Sequence, residues 1–162
     1  MQAASLGARE LGEYMQAHGI LGEILHLGVP TPTVEAAAQA VSAMPEQIIK
    51  SILFVVDEQP VLAIACGTAN INRRAIADLY GVGRKRVKLA SPEMVLEISG
   101  YEVGAMPPFG HQQPLVTLID PRVLDLPEAY AGGGAENALL RLDPQEILRT
   151  TAGTVRDLLD QP

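Results

Sequence analysis

The chain has a single cysteine, Cys66, and no tryptophan, and aromatics make up only 4% of its 162 residues. One cysteine excludes an internal disulfide and a four-cysteine zinc site. With so few rings, the core must be built from Ala, Val, Ile and Leu, with Phe54 and Phe109 as rare large side chains. No apolar run approaches the roughly 18 residues a membrane span needs. Met1 to Glu10 lacks the basic-then-apolar pattern of a signal peptide. Also missing are a G-x-S-x-G elbow, a P-loop, a G-x-G-x-x-G fingerprint and an H-E-x-x-H pair. His18, His26 and His111 are scattered, so neither a metal site nor a cofactor is expected. The economical expectation is one soluble, cytoplasmic domain over residues 1–162 with no membrane partner.

Positive charge is also in short supply, and the net charge is −7. That argues against wrapping a long stretch of nucleic acid, where phosphate contacts dominate affinity, so no DNA partner is expected. The basic residues that exist are nevertheless concentrated. Arg73, Arg74, Arg84, Lys85, Arg86 and Lys88 face only Asp78 within their segment, while the rest of the chain is strongly acidic. Such a patch is either a solvated face or a contact for a small anionic target such as a nucleic-acid end.

Periodicity and capping signals predict an interleaved series of helices and strands. Ser5 to His18 reads as a helix stopped by Gly19, Glu23 to Leu27 as a short strand, and Thr33 caps a helix through Met44. Ile48 to Val56 is the most apolar strand; both its faces are apolar, which predicts a central strand covered on both sides. Asp57 to Pro60 turns it into a partner strand, Val61 to Cys66. Asn72 caps a helix to Tyr80, and Arg86 to Leu89 is a short strand. Ser91-Pro92-Glu93 starts a helix that ends near Ser99. Leu115 to Ile119 and Asn137 to Leu142 read as strands on either side of a turn at Ala131 to Gly134. Asp143-Pro144-Gln145-Glu146 resembles a capping box, and Thr154 to Asp160 reads as a last helical turn or two. The irregular order favours a mixed sheet over a regular βαβ array.

Two features stand out from this background. Lys50 lies on an otherwise apolar face of the best strand, and a buried ammonium is costly unless it meets an anion. Either it snorkels to the strand end or it lines a pocket awaiting a negative ligand. The second feature is Gly100 to Gly110, with glycines at 100, 104 and 110 and prolines at 107 and 108. It predicts a stiff loop presenting main-chain groups, walled by Met106 and Phe109, or else a purely structural turn. Cys66, ending a buried strand, reads as an inert core thiol.

Together these residues resemble the YbaK-like, prolyl-tRNA-synthetase-associated family of aminoacyl-tRNA deacylases, over about His26 to Leu148. The resemblance is carried by Thr33 to Ala37, Ile49-Lys50-Ser51-Ile52, Cys66-Gly67, Ala90 to Glu93, Gly100 to Gly110, Leu118 to Asp120 and Gly132 to Gly134. It implies an α/β (α+β) single domain around a mixed, mostly antiparallel, partly barrel-like sheet flanked by helices. It also implies trans-editing: hydrolysis of the ester joining a small wrong amino acid, such as Ala, Ser or Cys, to a tRNA. In that picture Lys50 and Gly104 are the catalytic positions, the lysine contacting the terminal nucleotide. Ala105, Met106, Pro107, Pro108, Phe109, Gly133 and Gly134 bind substrate, and Arg73, Arg74, Arg84 and Arg86 hold the acceptor end of a mischarged tRNA. A synthetase, prolyl-tRNA synthetase above all, is the implied protein partner. Some relatives that remove cysteine carry a tyrosine after the first strand, at about the position of Leu27 here, which leaves the amino acid open. The competing expectations are a non-catalytic module that binds a tRNA end or nucleotide, and a structural role in a synthetase assembly.

Overall fold

In a computed structural model residues 5–160 are described, so the ends of the domain expected over 1–162 lie outside the described residues. Its centre is a hairpin of β2 (Ile49–Val56) and β3 (Gln59–Cys66), in antiparallel register from Ile49 opposite Cys66 to Val56 opposite Gln59. Asp57 and Glu58 close it with φ of 48° and 73°, the two left-handed residues that a tight hairpin turn requires. Side chains alternate across β2 as the sequence predicts. Ile49 and Leu53 enter the larger core with Leu62 and Ile64 of β3, while Phe54 packs on the other face with Val61 and Ala63. Each such fully buried aliphatic side chain contributes about 1.5–3 kcal/mol, enough to make this two-sided strand the anchor of the fold.

The hairpin belongs to a five-stranded sheet ordered β4-β2-β3-β5-β8, with β4 at Val87–Leu89, β5 at Val116–Ile119 and β8 at Thr154–Val155. The pairs β3–β5 and β5–β8 are parallel; the others are antiparallel. A three-stranded antiparallel sheet runs β1-β7-β6, from Glu23–His26, Ala138–Leu142 and Ala129–Gly132. A bridge between Ile48 and Tyr130 joins the two sheets, which stay open rather than closing into a barrel.

The helices α1 (Ala8–Ala17), α2 (Val34–Val41), α3 (Arg73–Tyr80) and α4 (Pro92–Ser99) lie close to their expected bounds, as does α6 (Gln145–Thr151). Their caps are the predicted ones: Thr33, Asn72 and Ser91 accept from the N–H of Ala36, Arg74 and Met94. Three expectations need correcting. Thr154 to Asp160 is extended, because β8 pairs with β5 and the Asp160 N–H donates to the Asn70 carbonyl. The turn at Ala131 to Gly134 begins later, since Ala131 and Gly132 belong to β6. Asp143 does cap Gln145, but Glu146 leaves the capping box to accept from Leu21 N–H and pair with Arg149. The single-turn helix α5 (Pro121–Leu124), capped by the buried Asp120, has too little pattern to be seen in the sequence.

Candidate active site

The glycine–proline loop leaves α4 through Gly100, whose φ of +84° is the left-handed helix end only glycine adopts freely. Its far half is pinned down. The Gly134 N–H donates to the Ala105 carbonyl at 2.9 Å, and Met106 lies directly against Gly132. The Pro107 carbonyl meets His111 Nε2 at 2.8 Å, and Phe109 stacks on Tyr14 with ring centroids 6.0 Å apart. What remains exposed is the segment Glu102–Gly104, turned by an Ala105 N–H to Glu102 carbonyl bond of 3.1 Å. Gly104 has φ +89° and nothing near the position a Cβ would take. Among the described residues no acceptor meets the main-chain N–H of Gly104 or Met106.

This exposed tip closes one side of a cleft of about 200 Å³, with Lys50, Ser51, Thr31, Met106, Gly132 and Leu139 around it. The structure thus brings together Lys50 and Gly104, which are 54 positions apart in the chain. Lys50 is half-buried and its ammonium donates to the Ala69 carbonyl. Burial pushes its pKa below the ordinary lysine value, with Cys66 and Glu35 pulling the other way. The lysine therefore neither sits deep nor escapes to bulk water: it lines the cleft. Cys66 is buried, and burial together with Asp120 pushes its thiol up to about 11. A thiol so hard to ionise is a poor nucleophile at neutral pH, in keeping with the inert core residue expected.

Other expected site residues are placed differently. Ala105, Pro107, Pro108 and Phe109 are buried and do not line the Lys50 cleft. Phe109 is a core residue, and with Pro108, Tyr14, His18 and His111 it borders a separate rear cavity of about 350 Å³. The cleft wall is therefore Met106 without Phe109, because Phe109 has a better apolar partner in Tyr14. Gly133 and Gly134 lie beneath the loop: a Cβ at Gly133 would come within 2.6 Å of Ala138 backbone, and one at Gly134 within 2.8 Å of Ala8. They support the loop, and Gly132 is the glycine at the cleft.

The basic segment divides into two places. Arg73 and Arg74 open α3, just past the Ala69 that meets Lys50. Arg84 and Arg86 sit at the other end of β2, where the Asp57 N–H donates to the Arg86 carbonyl and Arg86 pairs with the Asp57 carboxylate at 2.5 Å. At about 3.3 Å per residue that end is roughly 20 Å from Lys50. Sequence reasoning missed three contributors: Gly132, whose role is a close approach, His111, which holds the loop carbonyl, and Ser51, which lines the cleft along with Gly104. Gly132 and Ser51 stood inside the motifs Gly132 to Gly134 and Ile49 to Ile52 without being singled out, and His111 was visible as a lone imidazole just after the loop.

The model of the aminoacyl-tRNA editing domain family matches residues 29–150. An uncharacterized protein of Bacillus subtilis, YwhH, is 26% identical over 126 residues, 77% of this chain and 78% of that protein. The proline–tRNA ligase of Desulfitobacterium hafniense is 31% identical over 113 residues, 68% of this chain but only 20% of the ligase. This chain thus corresponds to about a fifth of that ligase's length. A solved structure described as a candidate trans-editing enzyme for prolyl tRNA synthetase superposes with a TM-score of 0.88 at 34% identity, covering 95% of this chain and 97% of the other.

Proposed function

This chain belongs to the aminoacyl-tRNA editing domain family, and from that premise we propose that it is a trans-acting deacylase of mischarged tRNA. The observation that carries the reading is the convergence of Lys50 and Gly104 on one cleft. An aminoacyl ester is already activated, so orientation and stabilisation of the developing oxyanion supply much of the acceleration needed. The unpaired N–H groups of Gly104 and Met106 are suited to that oxyanion. Lys50 exchanges the Ala69 carbonyl for a phosphate of the terminal nucleotide. A water molecule adds through its oxygen to the ester carbonyl carbon, with the neighbouring ribose hydroxyl assisting. The bond from that carbon to the ribose oxygen then breaks, the ribose oxygen takes up a proton, and free amino acid and tRNA leave. No side-chain nucleophile is required.

Arg73 and Arg74 lie close enough to steady the acceptor end, while Arg84 and Arg86 reach the backbone farther along the stem. Likeness to proline–tRNA ligases and to a candidate trans-editing enzyme favours prolyl-tRNA synthetase as the partner whose errors are corrected. No helix among the described residues is long and apolar enough to cross a membrane. The proposed substrate is a cytoplasmic one, with Ala, Ser or Cys as the small amino acid removed. The test is a deacylation assay across tRNAs charged with Ala, Ser, Cys, Thr and Pro, with Lys50→Ala and Gly104→Ala beside the parent. Turnover of at least one ester, lost in both variants, supports the reading. Binding of tRNA without turnover of any ester replaces it with a non-catalytic binding module.

A further inference from the structure

Three buried hydroxyls, those of Tyr101, Thr150 and Ser51, lack a hydrogen-bond partner among the described residues, and of these only Ser51 lines the Lys50 cleft. Buried hydroxyls are nearly always paired, so an orphan marks either local strain or a place kept for a ligand. Position decides between these. Ser51 borders the Lys50 cleft and also an adjoining chamber of about 170 Å³ that shares Gly104 and Met106 with it. The other side chains that line that chamber, among them Leu53, Leu89, Val95 and Val103, are apolar. A single hydroxyl in an apolar recess beside the loop has the form of a specificity element.

We propose that this chamber receives the amino-acid side chain of the substrate, and that Ser51 selects side chains bearing a hydroxyl, so that seryl and threonyl esters are preferred over alanyl ones. This inference rests on the deacylase reading. Successive residues of a strand point to opposite faces, so Lys50 and Ser51 address different parts of one ligand. With Lys50 at the phosphate, Ser51 and the chamber are left for the acyl group. The substrate's α-ammonium is ill suited to apolar walls, where a charge is costly unless paired. A methyl side chain fits the chamber but leaves Ser51 unpaired; a hydroxymethyl group fits and pairs with it. A thiol is a much weaker partner than a hydroxyl. Rotation of Ser51 about χ1 between staggered positions turns its oxygen towards the incoming group. The space, several times the roughly 30 Å³ share of one water, admits threonine as well as serine.

The inference is tested by kcat/KM on tRNA charged with Ser, Thr and Ala, for the parent, Ser51→Ala and Ser51→Thr. One neutral hydrogen bond implies a seryl-to-alanyl preference of about tenfold in the parent. That ratio should collapse towards one in Ser51→Ala and persist in Ser51→Thr, which keeps the hydroxyl. Calorimetric binding of the non-hydrolysable 3′-seryl-amido and 3′-alanyl-amido adenosines should show the same preference and the same loss. A ratio unchanged by Ser51→Ala, or a parent that favours alanyl substrates, overturns the role of Ser51 and leaves the deacylase reading standing. Absence of turnover on every ester overturns the deacylase reading; the two adenosine analogues then still decide whether Ser51 recognises a hydroxyl.

Discussion

A Cβ placed on Gly132 would lie 2.1 Å from the carbonyl oxygen of Met106, closer than any real contact allows. The edge of one sheet and the glycine–proline loop are thus fitted together through a missing side chain. Gly132→Ala must push the loop away or strain β6, and overpacking of this kind typically costs about 1–3 kcal/mol. Thermal unfolding should show that loss, and deacylation should fall along with it. A variant of parental stability and activity would show that the loop moves freely, contrary to this packing.

Gly104 should behave in the opposite way. Nothing lies within 4 Å of the position its Cβ would occupy, so the cost of Gly104→Ala is the left-handed φ of +89° alone. We expect a stability loss of about 1 kcal/mol. Deacylation should fall much further, on the order of a hundredfold, because alanine keeps the N–H but relaxes away from the φ of +89° that aims it at the oxyanion. Stability and single-turnover rates measured on the same preparation separate the two effects.

Lys50 carries a burial penalty in the folded chain. Its folded pKa lies below the ordinary 10.5, so between those values the unfolded chain holds the proton more tightly and stability rises with pH. Lys50→Met should therefore be at least as stable as the parent at pH 7 while losing activity. The difference in stability between them should shrink as pH approaches 10.5. Denaturant titrations at pH 7 and pH 10 provide the comparison, and a variant that is both less stable and fully active would contradict it.

His111 is expected to make the loop sensitive to acid. Burial holds its pKa below the ordinary 6.5, with the bond to Pro107 opposing. The unfolded chain is then the first to take up the proton, so the group's contribution is complete above about 6.5 and is lost as pH falls below it. His111→Gln should flatten this part of the pH–stability curve between pH 7 and pH 5. An unaltered slope would place the acid response elsewhere.

Charge reversal of Arg84 and Arg86 should weaken tRNA binding. It should also lower the salt dependence of binding by about one unit of slope for each phosphate no longer neutralised. These arginines are roughly 20 Å from Lys50 along β2, so hydrolysis of an aminoacyl-adenosine fragment should be unaffected. The exposed pair with Asp57 contributes little to stability and does not confuse the result. Equal tRNA affinity and salt slope in parent and variant would remove these residues from the interface.

Elements with local causes could be read from the residues alone. Ser91, Pro92 and Gly100 delimit α4, Asp57 and Glu58 turn the central hairpin, and the two apolar faces of Ile49–Val56 make it a covered strand. Lys50 and Gly104 were legible as candidates because a charge on an apolar strand and a glycine in a proline-stiffened loop are both locally anomalous, and both line the same cleft. Which loop residues face the cleft depended instead on the folded arrangement. Phe109 turned to Tyr14 and the rear cavity, Gly132 became the close-packing partner of Met106, and Thr154–Val155 joined β5 instead of forming a helix. In each case the deciding contact joins segments far apart in the chain, where packing and hydrogen-bond pairing outweigh the weak preferences of a short local stretch.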